Sequence, residues 1–255
     1  MKKILIRADD LGYSRAVNYG IFDSIHNGVI NNVGVMVNMP STQQGLDLLK
    51  NEDIDYGMHT NISNGKPVLP TSEVPSLVDE NGNFKRSRIY RKAFENNEDF
   101  VDIDEVTAEI EAQYNRFTQL IGRKPDYFEG HAVLSKNYID GLHRVAHKYR
   151  LPMLDFAFSD TPVRFKKETK FKSFMVPIGE DVDPFDTFKS MFTEDQGKDV
   201  IPMMVCHPGY LDQYILNTSM LTVPRTKEVE MAMSSRIWRY VKDNDIKLVR
   251  YSKCK

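Results

Sequence analysis

Short apolar runs recur along this chain, and helix-patterned stretches separate them. The first run, Ile4-Leu5-Ile6 with Ala8, stops at Asp9-Asp10-Leu11-Gly12. Ser14 then stands where it can N-cap a helix from Arg15 to about His26, with Asn27-Gly28 as its stop. Residues 33–39 read as a second buried strand, Ser41 opens a helix ending near Leu49, and residues 55–62 form a third strand. Further strand ends fall at 126–131, at 200–209 before Pro208-Gly209, and at 246–251.

Strands that are apolar on both faces and alternate with helices predict an α/β fold, a mainly parallel sheet covered by helices. Six or seven such units favour an irregular (β/α) barrel-like fold over an open sheet. No repeat, low-complexity tract or shift in composition marks a boundary, so residues 1–255 read as a single domain. The rhythm breaks once. Residues 63–85 carry Gly65, Pro67, Pro70, Pro75 and Asn81-Gly82, the make-up of a long loop inserted after the third strand, expected to be a lid or substrate loop. Helices are expected at 86–96, 103–121, 137–149 and 184–192, with 152–158 as an apolar run and 160–183 irregular. A last helix from Arg225 has Val229, Met233, Ile237 and Tyr240 on its apolar face.

Charge and cysteine use limit the function classes. Lys and Arg total 34 against 36 Asp and Glu, a net charge of −2, which gives no electrostatic case for nucleic acid or an anionic membrane as partner. The two cysteines, Cys206 and Cys254, make no disulfide framework. No apolar stretch suits a signal peptide or a membrane span, so a cytoplasmic, reduced protein is expected.

Asp9, Asp10, Asn38, His59, His131 and His207 share one property: each stands at or just past the C-terminal end of a predicted strand. In a parallel barrel those ends meet at one mouth. One carboxylate with two imidazoles makes a three-ligand metal site with positions left open. A neighbouring carboxylate can take a proton from water, and a further His can give one to a leaving group. Singly these residues mean little, since an Asp pair also caps helices or shapes turns and a lone His is more often structural than a ligand. The shared position of three of the six histidines and the acid pair outweighs that. His26 suits a helix C-terminus. His143 and His147 are spaced i,i+4 but lie off the buried stripe of their helix and read as solvent-facing, and Cys206 reads as a core thiol.

These blocks, Ala8-Asp9-Asp10-Leu11-Gly12, Val35-Met36-Val37-Asn38-Met39-Pro40, Gly57-Met58-His59-Thr60-Asn61, Gly130-His131 and Cys206-His207-Pro208-Gly209-Tyr210, resemble in order those of the YdjC-like carbohydrate deacetylases. The resemblance implies a barrel-like fold related to polysaccharide deacetylases, a homodimer, and one divalent metal ion, Mg2+ or Zn2+. It implies hydrolysis of an N-acetyl group from an amino sugar or small oligosaccharide in carbohydrate breakdown. Carried over by position, Asp10, His59 and His131 would hold the metal, Asp9 would be the general base and His207 the acid. Asn38, Asn61 and Arg225 would contact substrate. The chain departs from the family at Arg7, where Asn is common, and at Val133 and Ser135, where the third block usually has further histidines. Two other readings stand beside this one: a phosphoglycosidase cleaving a phosphorylated disaccharide, and a catalytically impaired sugar-binding or regulatory member of the family.

Overall fold

The structure, a computed structural model, describes residues 2–156, 161–179, 181–193, 196–197 and 199–254. In chain order the elements are β1 (Lys2–Leu11), α1 (Arg15–His26), β2 (Asn32–Val35), α2 (Thr42–Leu49), β3 (Asp55–Thr60), α3 (Ser87–Glu95), α4 (Ile103–Ile121), β4 (Tyr127–Gly130) and α5 (Lys136–Tyr149). Then follow β5 (Val163–Lys166), β6 (Thr169–Met175), α6 (Pro184–Ser190), β7 (Val200–Cys206), α7 (Gln213–Thr218), α8 (Val223–Met233), α9 (Ser235–Asp243) and β8 (Ile246–Val249). The class is α/β, as the alternation of apolar runs and helices predicts. No described helix is long and apolar enough to cross a membrane. By packing the chain divides into two units, Met1–Val35 with Pro40–Tyr56 and Leu154–Lys255, and Met36–Met39 with Gly57–Met153.

In the first unit β1 is the central strand. One edge pairs in parallel with β7, Leu5 through Ala8 against Met203 through Cys206. The other edge is shared: β8 takes Lys2 through Leu5, and β2 takes over from Arg7. Asn32 sits at this fork, fully buried, and its side chain satisfies backbone groups on both sides. Its Nδ2 donates to Ile6 O (3.0 Å) and Val249 O (3.3 Å), and its Oδ1 accepts from Tyr251 N (3.2 Å). A split ladder leaves unpaired peptide groups in the core, and one short amide supplies both a donor and an acceptor there. β6 extends the sheet in parallel beyond β7, and β5 folds back on β6 as an antiparallel hairpin, so the sheet is mixed.

That hairpin corrects the reading of 160–183 as irregular. Its Lys and Phe alternate with the period of a strand, so Phe165 and Phe171 turn inward against Tyr251, ring centres 5.1–5.5 Å apart. The expected last helix is also corrected. Ser234 has extended backbone (φ −65°, ψ 142°) and its side chain accepts from Ile237 N, which ends α8 and caps α9. Helix α7, capped by Asp212, was not foreseen. At α1 the expectation holds to the residue, with Ser14 Oγ accepting from Val17 N (3.2 Å).

In the second unit Gly57 through Thr60 of β3 pair in parallel with β4. Gly57 is required: a Cβ there would come within 2.1 Å of the Tyr127 ring. Helix α4 packs on α5, with Val106 and Ile110 against Gly141, and ends at Gly122 in the left-handed region (φ 78°). The second strand is shorter than expected. It stops at Val35, and Met36–Met39 form a turn closed by Met39 N on Met36 O (3.4 Å). The long segment after β3 holds one 3-10 turn, Thr71–Glu73, and an isolated bridge between Val78 and Phe84. Of the apolar run at 152–158, Met153 makes a single parallel bridge to Phe128, and 157–158 lie outside the described residues.

Candidate active site

In the second unit two imidazoles meet. His59, near the end of β3, is buried, and its Nε2 lies 3.0 Å from Nδ1 of His131, just past β4. The rings stand edge to face, centres 5.0 Å apart. The other nitrogen of His59, Nδ1, faces Oε1 of Glu129 at 3.1 Å. Glu129 is the direct ladder partner of His59, so strand register brings the carboxylate to that ring. A carboxylate behind an imidazole fixes its tautomer and raises the basicity of its outward nitrogen, the usual support of a metal-ligating His. Glu129 was not singled out from sequence. Its signal was available, because alternation puts 129 and 131 on one face of the strand.

Asn64 continues this cluster, with Nδ2 3.3 Å from His131 Nε2 and its Oδ1 accepting from Arg86 (3.1 Å). The structure brings Asn38 and Asn61 together. Asn61 Nδ2 donates to Asn38 Oδ1 (3.0 Å), and Asn38 donates to the carbonyls of Asn64 and Lys66. Asn61 Oδ1 accepts from the backbone of Ser63 and Asn64. Both amides therefore shape the turn that carries Asn64. Beneath it, the fully buried Glu109 of α4 accepts the backbone N–H groups of Val68 and Leu69 and the side chain of Gln113, which in turn holds Asn61. Burial pushes the Glu109 carboxyl up, opposed by those hydrogen bonds.

Val133 and Ser135, where the family resemblance leads one to expect histidines, have structural work. Val133 is fully buried. Ser135 caps α5 by accepting from Tyr138 N (3.1 Å), and its hydroxyl donates to Asp99.

The first unit holds the acid pair and His207. The ladder between β1 and β2 slips between Ala8 and Leu11, a bulge that contains both carboxylates. Asp10 is in the left-handed region (φ 74°), a conformation costly for a residue with a Cβ and concentrated at functional sites. Both acids are buried beside an arginine: Arg7 Nη2 lies 3.0 Å from Asp9 Oδ2, and Arg225 Nη2 lies 2.7 Å from Asp10 Oδ2. Arg225 itself is 2% exposed, and its guanidinium stacks over Tyr13 at 5.6 Å.

His207 follows β7 and is half-buried. Its backbone is gripped from α8 on both sides: the N–H donates to Glu228 Oε2, and the carbonyl accepts from Arg225 Nη1 (3.3 Å). Burial pushes the Glu228 carboxyl up to about 7, against the lowering effect of the His207 N–H. Cys206 is a buried thiol pushed well up by the same cause, and His143 and His147 are exposed, as expected.

Comparison with known proteins gives the family and the fold. The carbohydrate deacetylase 2 of Listeria innocua is 32% identical over 98% of this chain and 97% of its own. The carbohydrate deacetylase of Thermoanaerobacter pseudethanolicus is 28% identical over 99% of both. Among solved structures, an Enterococcus faecalis protein whose name proposes cellobiose-phosphate cleavage superposes with a TM-score of 0.82 at 26% identity, over 98% of this chain and 97% of that one. A family 4 acetyl xylan esterase from Clostridium thermocellum, solved with a cobalt ion, shares the fold alone, with a TM-score of 0.53 at 9% identity over 99% of this chain and 90% of that one. The family model described as YdjC-like protein matches residues 3–243, and the chain belongs to the YdjC-like family.

Proposed function

We propose that this protein is a metal-dependent carbohydrate deacetylase that removes an N-acetyl group from an amino sugar. The observation that carries the reading is the facing pair His59 and His131, with Glu129 behind His59. Two imidazole nitrogens 3.0 Å apart, one ring backed by a carboxylate, are a donor set that suits a divalent cation. Asp10 would be the third ligand, and the imidazoles favour Zn2+ while leaving Mg2+ open to test. A cation held there would polarise the acetamide carbonyl and acidify water.

The chain's own groups carry the protons. Asp9, paired with Arg7, takes the proton of the attacking water. His207 delivers a proton to the departing sugar amine, and its ring is aimed by the grip of Glu228 and Arg225 on its backbone. Arg225 also holds Asp10 in place, so its part is positioning of the site. Asn38 and Asn61 shape the turn bearing Asn64, through which the sugar would be met. A homodimer in the cytoplasm is part of this reading. It rests on the resemblance and the composition.

The name of the Enterococcus faecalis protein favours a second reading, cleavage of a phosphorylated disaccharide. Glycosidases need an ionised and a protonated carboxyl on opposite sides of the scissile bond. Asp9 and Asp10 are adjacent and each is paired with arginine, which speaks for the amide reading. One experiment separates them: purified protein of measured metal content is incubated with N-acetylated mono- and disaccharides and with phosphorylated disaccharides. Acetate release that tracks metal content supports the deacetylase; monosaccharide release without acetate overturns it. Sugar binding without either product supports the impaired member of the family.

A further inference from the structure

The first unit has a concavity at the opposite end of β1 from the acid pair. It is a cavity of about 930 Å3 lined by the starts of β1, β6 and β7 and by β8 with the turn after it. Its floor is apolar and buried, with Met191, Pro202 and Val249. Among the described residues of its lining, Lys2, Lys3, Lys247, Arg250 and Lys253 stand against Glu168 and Asp199.

Two of these lysines are exposed and stand side by side. Lys3 and Lys247 are direct partners in the parallel ladder of β1 and β8, so their side chains leave the same face of the sheet side by side. Like charges directly opposite on paired strands destabilise a sheet. Among the described residues no carboxylate forms an ion pair with either, whereas Arg250 at the same rim pairs with Asp53. Lys2, one residue before Lys3 and therefore on the other face of the strand, lies over the Phe192 ring at 5.7 Å. Cations over a low-dielectric floor focus a positive potential into the cavity. Lysine ammonium groups are compact donors suited to phosphoryl oxygens, and the volume admits a small molecule rather than a bare ion.

We propose that this cavity binds a phosphate-bearing small molecule, held by Lys3 and Lys247 with Lys253 beside them. The site is independent of the deacetylase reading: Lys3 and Asp9 are six strand residues apart, roughly 20 Å at strand rise.

Isothermal titration of the metal-loaded full chain with inorganic pyrophosphate, and separately with a hexose phosphate, tests it. Saturable binding is expected, at least tenfold weaker in the Lys3→Gln/Lys247→Gln double variant, with deacetylase activity unchanged. Tighter binding of the hexose phosphate would identify a sugar phosphate as the natural class, and tighter binding of pyrophosphate a polyphosphate. Absence of saturable binding, equal affinity in the double variant, or loss of binding in His59→Ala instead would overturn the proposal. Thermal unfolding keeps the test independent of folding failure. Lys247→Glu sets a carboxylate beside Lys3 and is expected to raise Tm without ligand; a lower Tm would show the lysines already neutralised and sink the idea.

Discussion

Glu129 and His59 face each other across the β3–β4 ladder, carboxylate to Nδ1 at 3.1 Å, and this leaves Nε2 of His59 turned to His131. In the proposed site the carboxylate would support the imidazole from behind.

Two substitutions separate these roles. His59→Ala is expected to abolish metal binding and acetate release while the protein stays folded. Glu129→Gln keeps the ligand and weakens its orientation, so metal affinity falls about 10–100-fold. Metal analysis after dialysis, with circular dichroism as the folding check, reads both. Unchanged metal content in His59→Ala would remove His59 from the ligand set.

Asp9→Asn removes the proposed base. The expected fall in kcat is about 10²–10⁴, with metal content retained. Steady-state kinetics on an N-acetylated sugar beside metal analysis checks this. Loss of metal in Asp9→Asn would move Asp9 from base to ligand.

Arg225 is expected to matter for stability as well as rate. Its guanidinium is the buried counterion of Asp10 and also bonds the carbonyls of Leu221 and His207. Removing one partner of a buried pair typically costs about 3–5 kcal/mol. Arg225→Ala should therefore lower the urea midpoint markedly, and Arg225→Lys should recover part of the loss. Equal midpoints for wild type and Arg225→Ala would refute the pairing.

Glu228 gives stability a pH dependence. Its carboxyl is raised to about 7 in the fold from an ordinary 4.5, so the native state holds a proton that the unfolded state has released. Stability from this group is complete below about pH 4.5 and is lost as pH rises to about 7, on the order of 3 kcal/mol in all. Urea unfolding with a chelator at pH 5 and pH 8 should show that loss, and Glu228→Gln should flatten it.

Glu109 is expected to govern the segment after β3. Its carboxylate accepts the N–H groups of Val68 and Leu69, which no helix or strand satisfies. Glu109→Ala leaves those donors and Gln113 short of a partner, a cost of about 1–3 kcal/mol per buried group. Hydrogen exchange at Val68 and Leu69 should accelerate far more than at the core of α4. Equal protection in variant and wild type would rule out the tether.

Much of this was legible because strand ends and caps are local events. Asp9, Asp10, His59, His131 and His207 announce themselves by following apolar runs, and Ser14 by preceding a helical pattern. The supporting shell is less legible. Glu129 becomes important only through its register with His59, and Glu228 and Arg225 only because α8 lies against the chain after β7. The β5–β6 hairpin hid because its alternating Lys and Phe offer no continuous apolar run, and the break at Ser234 because the apolar spacing on either side stays helical. Val133 and Ser135 looked like lost ligands, yet one fills the core and the other caps α5. A substitution read only against a motif cannot reveal what the new residue does instead.

The fork at Asn32 bears on how the chain is made. One edge of β1 is completed by β8, and Arg7 meets Tyr251 across 244 residues of sequence. On the ribosome the lower half of that edge must wait, open, until residues 246–249 have emerged. Contacts so distant in sequence slow folding, and an open strand edge invites pairing with another nascent chain. Lys2 and Lys3 at the waiting edge, and the Asn32 amide that closes only when Val249 and Tyr251 arrive, make the last strand the latch of the first.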